Sequence, residues 1–182
     1  RVKKEKEFPK IKEKILKKIP KVKIYEDKQF PRVGLIGEIY TVCDETINFG
    51  IEERLAGEEI EVYREMNLSY HLKKGIFPWK DWRIQRKIMP YLKSTVGGHG
   101  RDAIYEMLHY TKERFNGVIQ LLPFGCMPET TVRPILEKLH YKSAIPFLSL
   151  SLDEQVAETG FQTRIEAFAE VVRTHWQKNN KS

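Results

Sequence analysis

The chain has 182 residues, of which 41% are hydrophobic and 31% charged, and its formal net charge is +7. This length and composition fit one globular domain with a sizeable core and argue against a second full domain. No apolar run reaches the roughly 18 residues of a membrane span, and the N-terminus lacks the apolar middle region of a secretory signal. Two cysteines are too few for a disulfide framework. We therefore expect a soluble, cytoplasmic protein without a membrane partner.

The positive charge lies almost entirely at the start of the chain. Residues 1–30 hold 12 Lys and Arg against 5 Asp and Glu, which leaves residues 31–182 formally neutral. Ile11, Ile15 and Ile19 recur at four-residue spacing before Pro20, which predicts an amphipathic lead-in helix or linker. Such a lysine-rich segment beside a neutral domain is more typical of a solvated helix than of a nucleic-acid surface, so we expect no nucleic-acid partner.

From Arg32 onward, short β-type runs alternate with amphipathic helical stretches. The predicted strands span residues 33–39, 59–65, 117–123 and 145–151. The predicted helices span residues 48–58, 78–94, 100–115, 128–139 and 160–177. This alternation predicts an α/β domain over residues 31–182, a three-layer Rossmann-like or flavodoxin-like fold with a helical insertion between the second and third strands. Short right-handed connections predict a parallel sheet of strand order 2-1-3-4.

That strand order places the loops after the first and third strands at the switch point of the sheet, where such folds bind ligands. Cys43 lies in the first loop, "EIYTVCDETIN", and Cys126 in the second, "PFGCMPET". Pro128 suits the first turn of a helix, so Cys126 would precede a helix N-terminus, where a thiolate is stabilised. This environment suits a nucleophile or a metal ligand, whereas the alternative is a small buried hydrophobe. Glu129 rules out a Cys-x-x-Cys pair, and the spacing to Arg133 disfavours a cysteine phosphatase loop.

Two further motifs carry candidate groups. In "VGGHGRD", the backbone of Gly97, Gly98 and Gly100 with His99 predicts an anion-binding turn in the cleft, and the alternative is a tight loop that caps a helix. In "LSLDEQVAETGFQTRIEAF", polar side chains follow the fourth strand and would lie beside the expected cleft. These residues are Asp153, Glu154, Gln155, Glu158, Thr163 and Arg164. The alternative is structural, since Asp153 and Glu158 could instead cap helices or form an ion pair with Arg164.

Taken together, "GEIYTVCDETINFGIEERL", "LLPFGCMPE" and "LDEQVAETGFQTRIEAF", with "YLKSTVGGHG" between them, are similar to a known family. The chain resembles the carboxyl-terminal domain of the 2-hydroxyacyl-CoA dehydratase D-component family (2-hydroxyglutaryl-CoA dehydratase-like), most closely its activase-related branch. The resemblance covers about residues 31–173 and is most specific in the PFxCMPE and DEQ-x-x-E-x-G-x-x-TRxEAF strings. Residues 1–30 match nothing in that family.

The resemblance implies two Rossmann-like domains that face each other across a cleft holding an iron–sulfur cluster, usually a 4Fe-4S cluster with three cysteine ligands. It implies that Cys126, which matches the cysteine of PFxCMPE, is one ligand to the metal. Cys43 matches no family ligand, although it would face the same cleft if the predicted strand order holds. Because a 4Fe-4S cluster needs three or four thiolates, the chain looks like a separated domain whose other ligands lie in a preceding domain.

The family resemblance further implies that an ATP-dependent activator protein delivers low-potential electrons to the cluster. The parent protein would then be a lyase (dehydratase) or a reductase acting on a CoA thioester or a related substrate. The isolated domain would be inactive, would hold no cluster stably by itself, and would supply Cys126 and a wall of the cleft. The alternative hypothesis is a non-enzymatic regulatory or assembly domain of an activator-type protein that keeps the fold without the cluster.

Overall fold

A computed structural model describes residues 29–65, 79–93, 96–155 and 157–180. The strands are β1 (Arg32–Gly37), β2 (Glu61–Arg64), β3 (Gly117–Pro123) and β4 (Phe147–Leu152). The helices are α1 (Ile39–Cys43), α2 (Ile51–Gly57), α3 (Trp79–Ile88), α4 (Gly100–Lys112), α5 (Met127–Ser143) and α6 (Glu158–Asn180). The predicted lead-in helix before Pro20 lies outside the described residues. None of the helices within the described ranges has the length and apolarity of a membrane-crossing segment.

The four strands form one parallel sheet in the order β2-β1-β3-β4, which confirms the predicted fold class and strand order. Helices α3 and α4 occupy the connection between β2 and β3, where the sequence predicts a helical insertion. The central strands β1 and β3 are buried on both faces, which explains why they read as continuous apolar runs rather than as alternating ones.

Each face of the sheet packs against its own set of helices. On one face, Leu35 and Ile119 contact a cluster that includes Leu55 of α2 and Ile165 of α6. On the opposite face, the core comes mainly from α4 and α5, with Ile36 of β1 in the same cluster. Each fully buried side chain of this size contributes roughly 1.5–3 kcal/mol relative to an exposed one. The result is the three-layer arrangement that the sequence predicts.

Several element boundaries differ from the predicted ones, and α1 was not predicted as a helix; two of the differences have a clear physical reason. The first strand ends at Gly37 instead of residue 39, because Glu38 caps α1 by accepting a hydrogen bond at 2.9 Å from the backbone nitrogen of Tyr40. The second strand begins only at Glu61, because Glu59 takes a left-handed conformation with φ 58° and closes α2. The backbone nitrogen of Ile60 then donates to Leu55 O at 3.0 Å, which satisfies the helix end.

Gly37 is where β1 leaves the sheet, and it lies against the backbone of Leu121 in β3. Its φ is +132°, and a Cβ at this position would lie 1.9 Å from the carbonyl oxygen of Leu121. The next residue, Glu38, donates its backbone N–H to that same oxygen at 3.1 Å. A side chain at position 37 would therefore collide with the acceptor that holds the two strands together.

We predict that Gly37→Ala lowers the free energy of unfolding by at least about 2 kcal/mol, since it combines a left-handed φ with a backbone collision. Gly57→Ala is the matched control. Gly57 ends α2 without a left-handed φ, and a Cβ there meets no described atom within 4 Å. Alanine at 57 should be neutral or stabilise by about 0.4–1 kcal/mol. Urea unfolding of the two variants checks this, and equal midpoints would contradict the packing described for Gly37.

Candidate functional site

The loops that follow β1 and β3 meet at the carboxyl edge of the sheet. The two strands are neighbours, with Gly37 in register with Leu121. Helix α1 starts directly after β1, and α5 starts after a three-residue loop that follows β3. Thr41 of α1 donates its hydroxyl to the Leu121 carbonyl oxygen at 3.0 Å, so α1 is tied to β3 as well as to β1. The loops that follow β1 and β3 therefore lie side by side at the predicted switch point.

Cys126 is the N-cap residue of α5. Its backbone nitrogen donates to Pro123 O at 3.1 Å, and its carbonyl oxygen accepts from the nitrogen of Thr130 at 2.9 Å. The side chain is half-buried, and it forms no capping hydrogen bond with the described residues. Both cysteines of the chain are thiols without a disulfide. The backbone of Cys126 thus starts the helix, and its sulfur is not used as a capping group.

Large apolar side chains stand on both sides of Cys126. Phe124 and Met127 are each 77% exposed, and Tyr40 of α1 is 46% exposed. Desolvation raises the pKa of the Tyr40 hydroxyl, and the charges of Glu38 and Cys126 raise it further, which places Tyr40 within electrostatic reach of the cysteine. Single exposed apolar residues are common, whereas larger apolar patches are unusual on the surface of a monomer. We call Tyr40, Phe124 and Met127 the apolar rim.

The glycine-rich loop before α4 lies against the same site. A Cβ at Gly98 would stand 3.1 Å from Pro128 Cγ, and one at Gly100 would stand 2.8 Å from the Pro128 carbonyl oxygen. His99 Nδ1 lies 3.5 Å from Glu38 Oε1, which links this loop to the loop after β1. The structure therefore brings the predicted loop of Gly97, Gly98 and His99 together with the loop of Cys126.

The details of the glycine-rich loop differ from the expected ones. Helix α4 begins at Gly100 rather than near Asp102, and Asp102 is buried in its first turn. Gly97 is exposed, and a Cβ added there would meet no described atom within 4 Å. Because the Glu38 carboxylate faces His99, an anion bound here would meet a negative charge. Anion binding by this turn stays a prediction.

Glu129 is a buried carboxyl that sequence reasoning missed. Its side chain is fully buried in the first turn of α5, and its Oε2 accepts a hydrogen bond from Gln120 Nε2 at 2.9 Å. Ser149 Oγ in turn donates to Gln120 Oε1 at 2.9 Å, so the three side chains connect α5 to β3 and β4. Oε1 of Glu129 receives no hydrogen bond from the described residues. The sequence does contain one indication of a buried polar partner. Gln120 lies inside the apolar run "GVIQLLP", and a buried amide needs a hydrogen-bond partner.

The environment of Glu129 favours its protonated form. The pKa of Glu129 is raised to about 7, mainly by burial and in part by the carboxylates of Glu38 and Asp102, while the hydrogen bond from Gln120 acts to lower it. Glu129 therefore holds a proton over much of the acidic range, close to the loop that carries Cys126. A protonated carboxyl also costs far less to bury than an ionised one.

Cys43 occupies a different place from Cys126. It is the last residue of α1 and is half-buried, one helical turn beyond Tyr40. Over the described ranges, no three side chains of His, Cys, Asp or Glu stand close enough together to hold a metal ion. The described residues therefore do not form a complete metal-ligand set, and the role of Cys126 as a cluster ligand stays a prediction.

The polar residues after β4 make structural contacts. Asp153 Oδ1 accepts a hydrogen bond from the backbone nitrogen of Gln155 at 2.9 Å, which stabilises the turn. Glu158 forms an ion pair with Arg54 of α2, not with Arg164. The structural interpretation of Asp153 and Glu158 accounts for both side chains, although the partner of Glu158 is a different arginine.

We predict that the buried Glu129 carboxyl makes the stability of the protein fall between about pH 4.5 and pH 7. In this window the unfolded chain has lost the proton, since the ordinary pKa is 4.5, whereas the folded chain keeps it because its pKa is about 7. The free energy of unfolding therefore decreases as the pH rises through this window, by up to about 3 kcal/mol, and levels off above it. Urea unfolding at a series of pH values measures this slope.

The variant Glu129→Gln, which keeps the shape and cannot ionise, should lose that part of the slope whatever its absolute stability. Glu137→Gln is the control, because it changes a half-exposed carboxyl of the same helix that pairs with Arg133 at 3.1 Å. Glu137→Gln should keep the wild-type slope. An unchanged slope in Glu129→Gln would contradict the assignment.

Comparison with known proteins adds no family assignment. A scan against protein-family models and a search of curated proteins both find no match for this chain. The functional interpretation therefore depends on the geometry at the carboxyl edge of the sheet and on the resemblance of the quoted motifs.

Proposed function

We propose that this chain forms one wall of an iron–sulfur cleft and supplies Cys126 as one thiolate ligand of a low-potential cluster, which the apolar rim helps to shield from water. The observation that carries the proposal is the position of Cys126. It is the N-cap of a 17-residue helix at the switch point, and its sulfur makes no capping bond with the described residues. The PFxCMPE resemblance identifies the same cysteine as a cluster ligand.

The start of a helix is a favourable position for an anionic metal ligand. The N-terminus of α5 carries the positive end of the helix dipole, which stabilises a nearby negative charge by about 0.3–1 kcal/mol. Thiolates are the usual protein ligands of iron–sulfur clusters. Pro128 lies in the first turn of α5, where its missing N–H is not needed by the helix. The backbone at Cys126 is therefore fixed by the helix start, and only the side chain needs to orient toward a metal.

The remaining ligands would come from a preceding domain of the same protein, because the described residues supply one suitable thiolate and no complete set. That domain would cover the apolar rim, whose side chains limit the access of water, and water access tunes the potential of a cluster. When bound, the cluster supplies low-potential electrons for a dehydration or reduction of a CoA thioester or a related substrate. An ATP-dependent activator protein is the proposed electron donor, and the proposed compartment is the cytoplasm.

The test is anaerobic reconstitution with iron and sulfide of the protein that carries its preceding domain. We expect Cys126→Ser to lose at least about half of the wild-type iron and sulfide content. Serine is a favourable N-cap residue, so this change should not weaken the start of α5. Cys43→Ser is the matched control and should keep wild-type content. Metal analysis and visible absorption measure both.

Wild-type cluster content in Cys126→Ser would overturn the ligand assignment. A folded wild-type protein that takes up no cluster would instead favour the non-enzymatic regulatory or assembly domain. The apolar rim would then be a docking face for another protein. Circular dichroism of each variant establishes that the fold is intact before the metal content is compared.

A further inference from the structure

A second surface lies away from Cys126, along the outer side of β2. It is a groove of about 710 Å³ between β2 and α2. Phe30, Ala56, Ile60 and Val62 form its apolar part. In the described part of the chain, β2 pairs with β1 alone and is therefore an edge strand. Exposed edge strands with apolar side chains are normally covered or protected.

The rest of the groove lining is acidic. Its charged residues are Glu52, Glu53, Glu59 and Glu61, and the lining includes no lysine or arginine among the described residues. Arg64 lies nearby and pairs with Glu52 at 3.1 Å, which offsets one of the four negative charges. Glu53 and Glu61 are exposed. The lining of the groove thus combines apolar side chains with carboxylates that give it a net negative charge.

We propose that residues 1–28 of this same chain dock in the acidic groove. The chain reaches the described fold at the groove itself, since Phe30 is part of the lining. The carbonyl oxygen of Pro31 accepts a hydrogen bond from the nitrogen of Glu61 at 2.9 Å, which holds the entering chain beside β2. No linker is therefore needed between the segment and its binding surface.

The chemistry of the segment complements that of the groove. Residues 1–28 contain 12 Lys and Arg against 5 Asp and Glu, opposite in sign to the groove. Ile11, Ile15 and Ile19 recur at four-residue spacing, which would form an apolar stripe able to contact the apolar side chains of the groove. An acidic groove repels nucleic acid, so this surface is better matched to the lysine-rich segment than to that class of partner.

The small free energy of surface ion pairs favours a binding partner that is tethered to the groove over one that is free in solution. A surface ion pair contributes about 0–1 kcal/mol, so a few such pairs would bind a separate peptide only weakly. A directly connected segment experiences an effective concentration of about millimolar, which makes weak contacts sufficient. The attraction should weaken at high salt, since the screening length falls from about 10 Å at 0.1 M to about 3 Å at 1 M.

Docking of this segment would also explain how the chain could connect to a preceding domain at the carboxyl edge of the sheet. This point rests on the proposed function. The chain enters at the amino edge of β1, whereas Cys126 lies at the carboxyl edge, and the six residues of β1 span about 20 Å. An extended chain spans roughly 3.3 Å per residue, so 28 residues are long enough to cover this distance. A segment that runs along β2 can therefore carry the chain from one edge of the sheet to the other.

The experiment is zero-length carbodiimide coupling of lysines to carboxylates in a mixture of ¹⁴N- and ¹⁵N-labelled chains, read by mass spectrometry. We expect single-isotope crosslinks that join lysines of residues 1–28 to Glu53, Glu59 or Glu61. Their yield should fall in about 1 M salt. Crosslinks of mixed isotopes would show that a second copy occupies the groove and would overturn the proposal.

Matched charge reversals make the test specific. Glu53→Lys combined with Glu61→Lys should lower the yield of crosslinks to Glu59 by at least about threefold, because two attractive contacts become repulsive. Glu154→Lys combined with Glu166→Lys makes the same change in net charge at exposed positions outside the groove and should leave that yield unchanged. Equal yields in the two variants would overturn the proposal. Iron content is not part of this readout, so its outcome is independent of the ligand assignment of Cys126.

Discussion

The carbonyl oxygen of Leu121 holds the carboxyl edge of the sheet together. It accepts hydrogen bonds from the Glu38 nitrogen at 3.1 Å and from the Thr41 hydroxyl at 3.0 Å. Only a glycine at position 37 lets the two strands come close enough for this, because a Cβ there would lie 1.9 Å from the same oxygen. The bonds end β1 and start α1 beside β3. They thereby place Glu38 next to His99 and Tyr40 within electrostatic reach of Cys126.

A second constraint fixes the start of α5. Gln120 Nε2 donates to Glu129 twice, to the side-chain Oε2 at 2.9 Å and to the backbone oxygen at 3.3 Å. Since Glu129 lies only three residues beyond Cys126, these bonds anchor the first helical turn to the central strand and hold the N-cap in place. The anchor depends on a buried carboxyl, and burial raises its pKa to about 7. The orientation of Cys126 and the protonation of Glu129 are thus parts of one arrangement.

The fold was largely predictable from sequence, and the site only in part. Periodicity locates β1, β3 and the long helices, and short connections allow few strand orders, so the switch point and the loops of Cys43 and Cys126 follow. The five residues of α1 are too few to show a helical period, and the helix depends on the Glu38 cap. The burial of Glu129 could not be predicted from its position in the first turn, where a surface carboxylate is equally common. The approach of His99 to Glu38 joins residues 61 positions apart and depends on the packing of α4 against α5.

The direction of the strands connects the two surfaces of the molecule. In a parallel sheet all strands end at the same edge, so Cys126 and the apolar rim lie opposite the edge where Phe30 enters. If a preceding domain covers the rim, as we propose, the chain that connects to it must pass alongside the sheet. Among the described strands, β4 forms the other edge of the sheet, but the chain enters next to β2, where the Pro31 carbonyl oxygen accepts a hydrogen bond from the Glu61 nitrogen. The acidic groove lies on that side of the sheet, so the proposed docking of residues 1–28 would bring the chain alongside β2, toward the carboxyl edge.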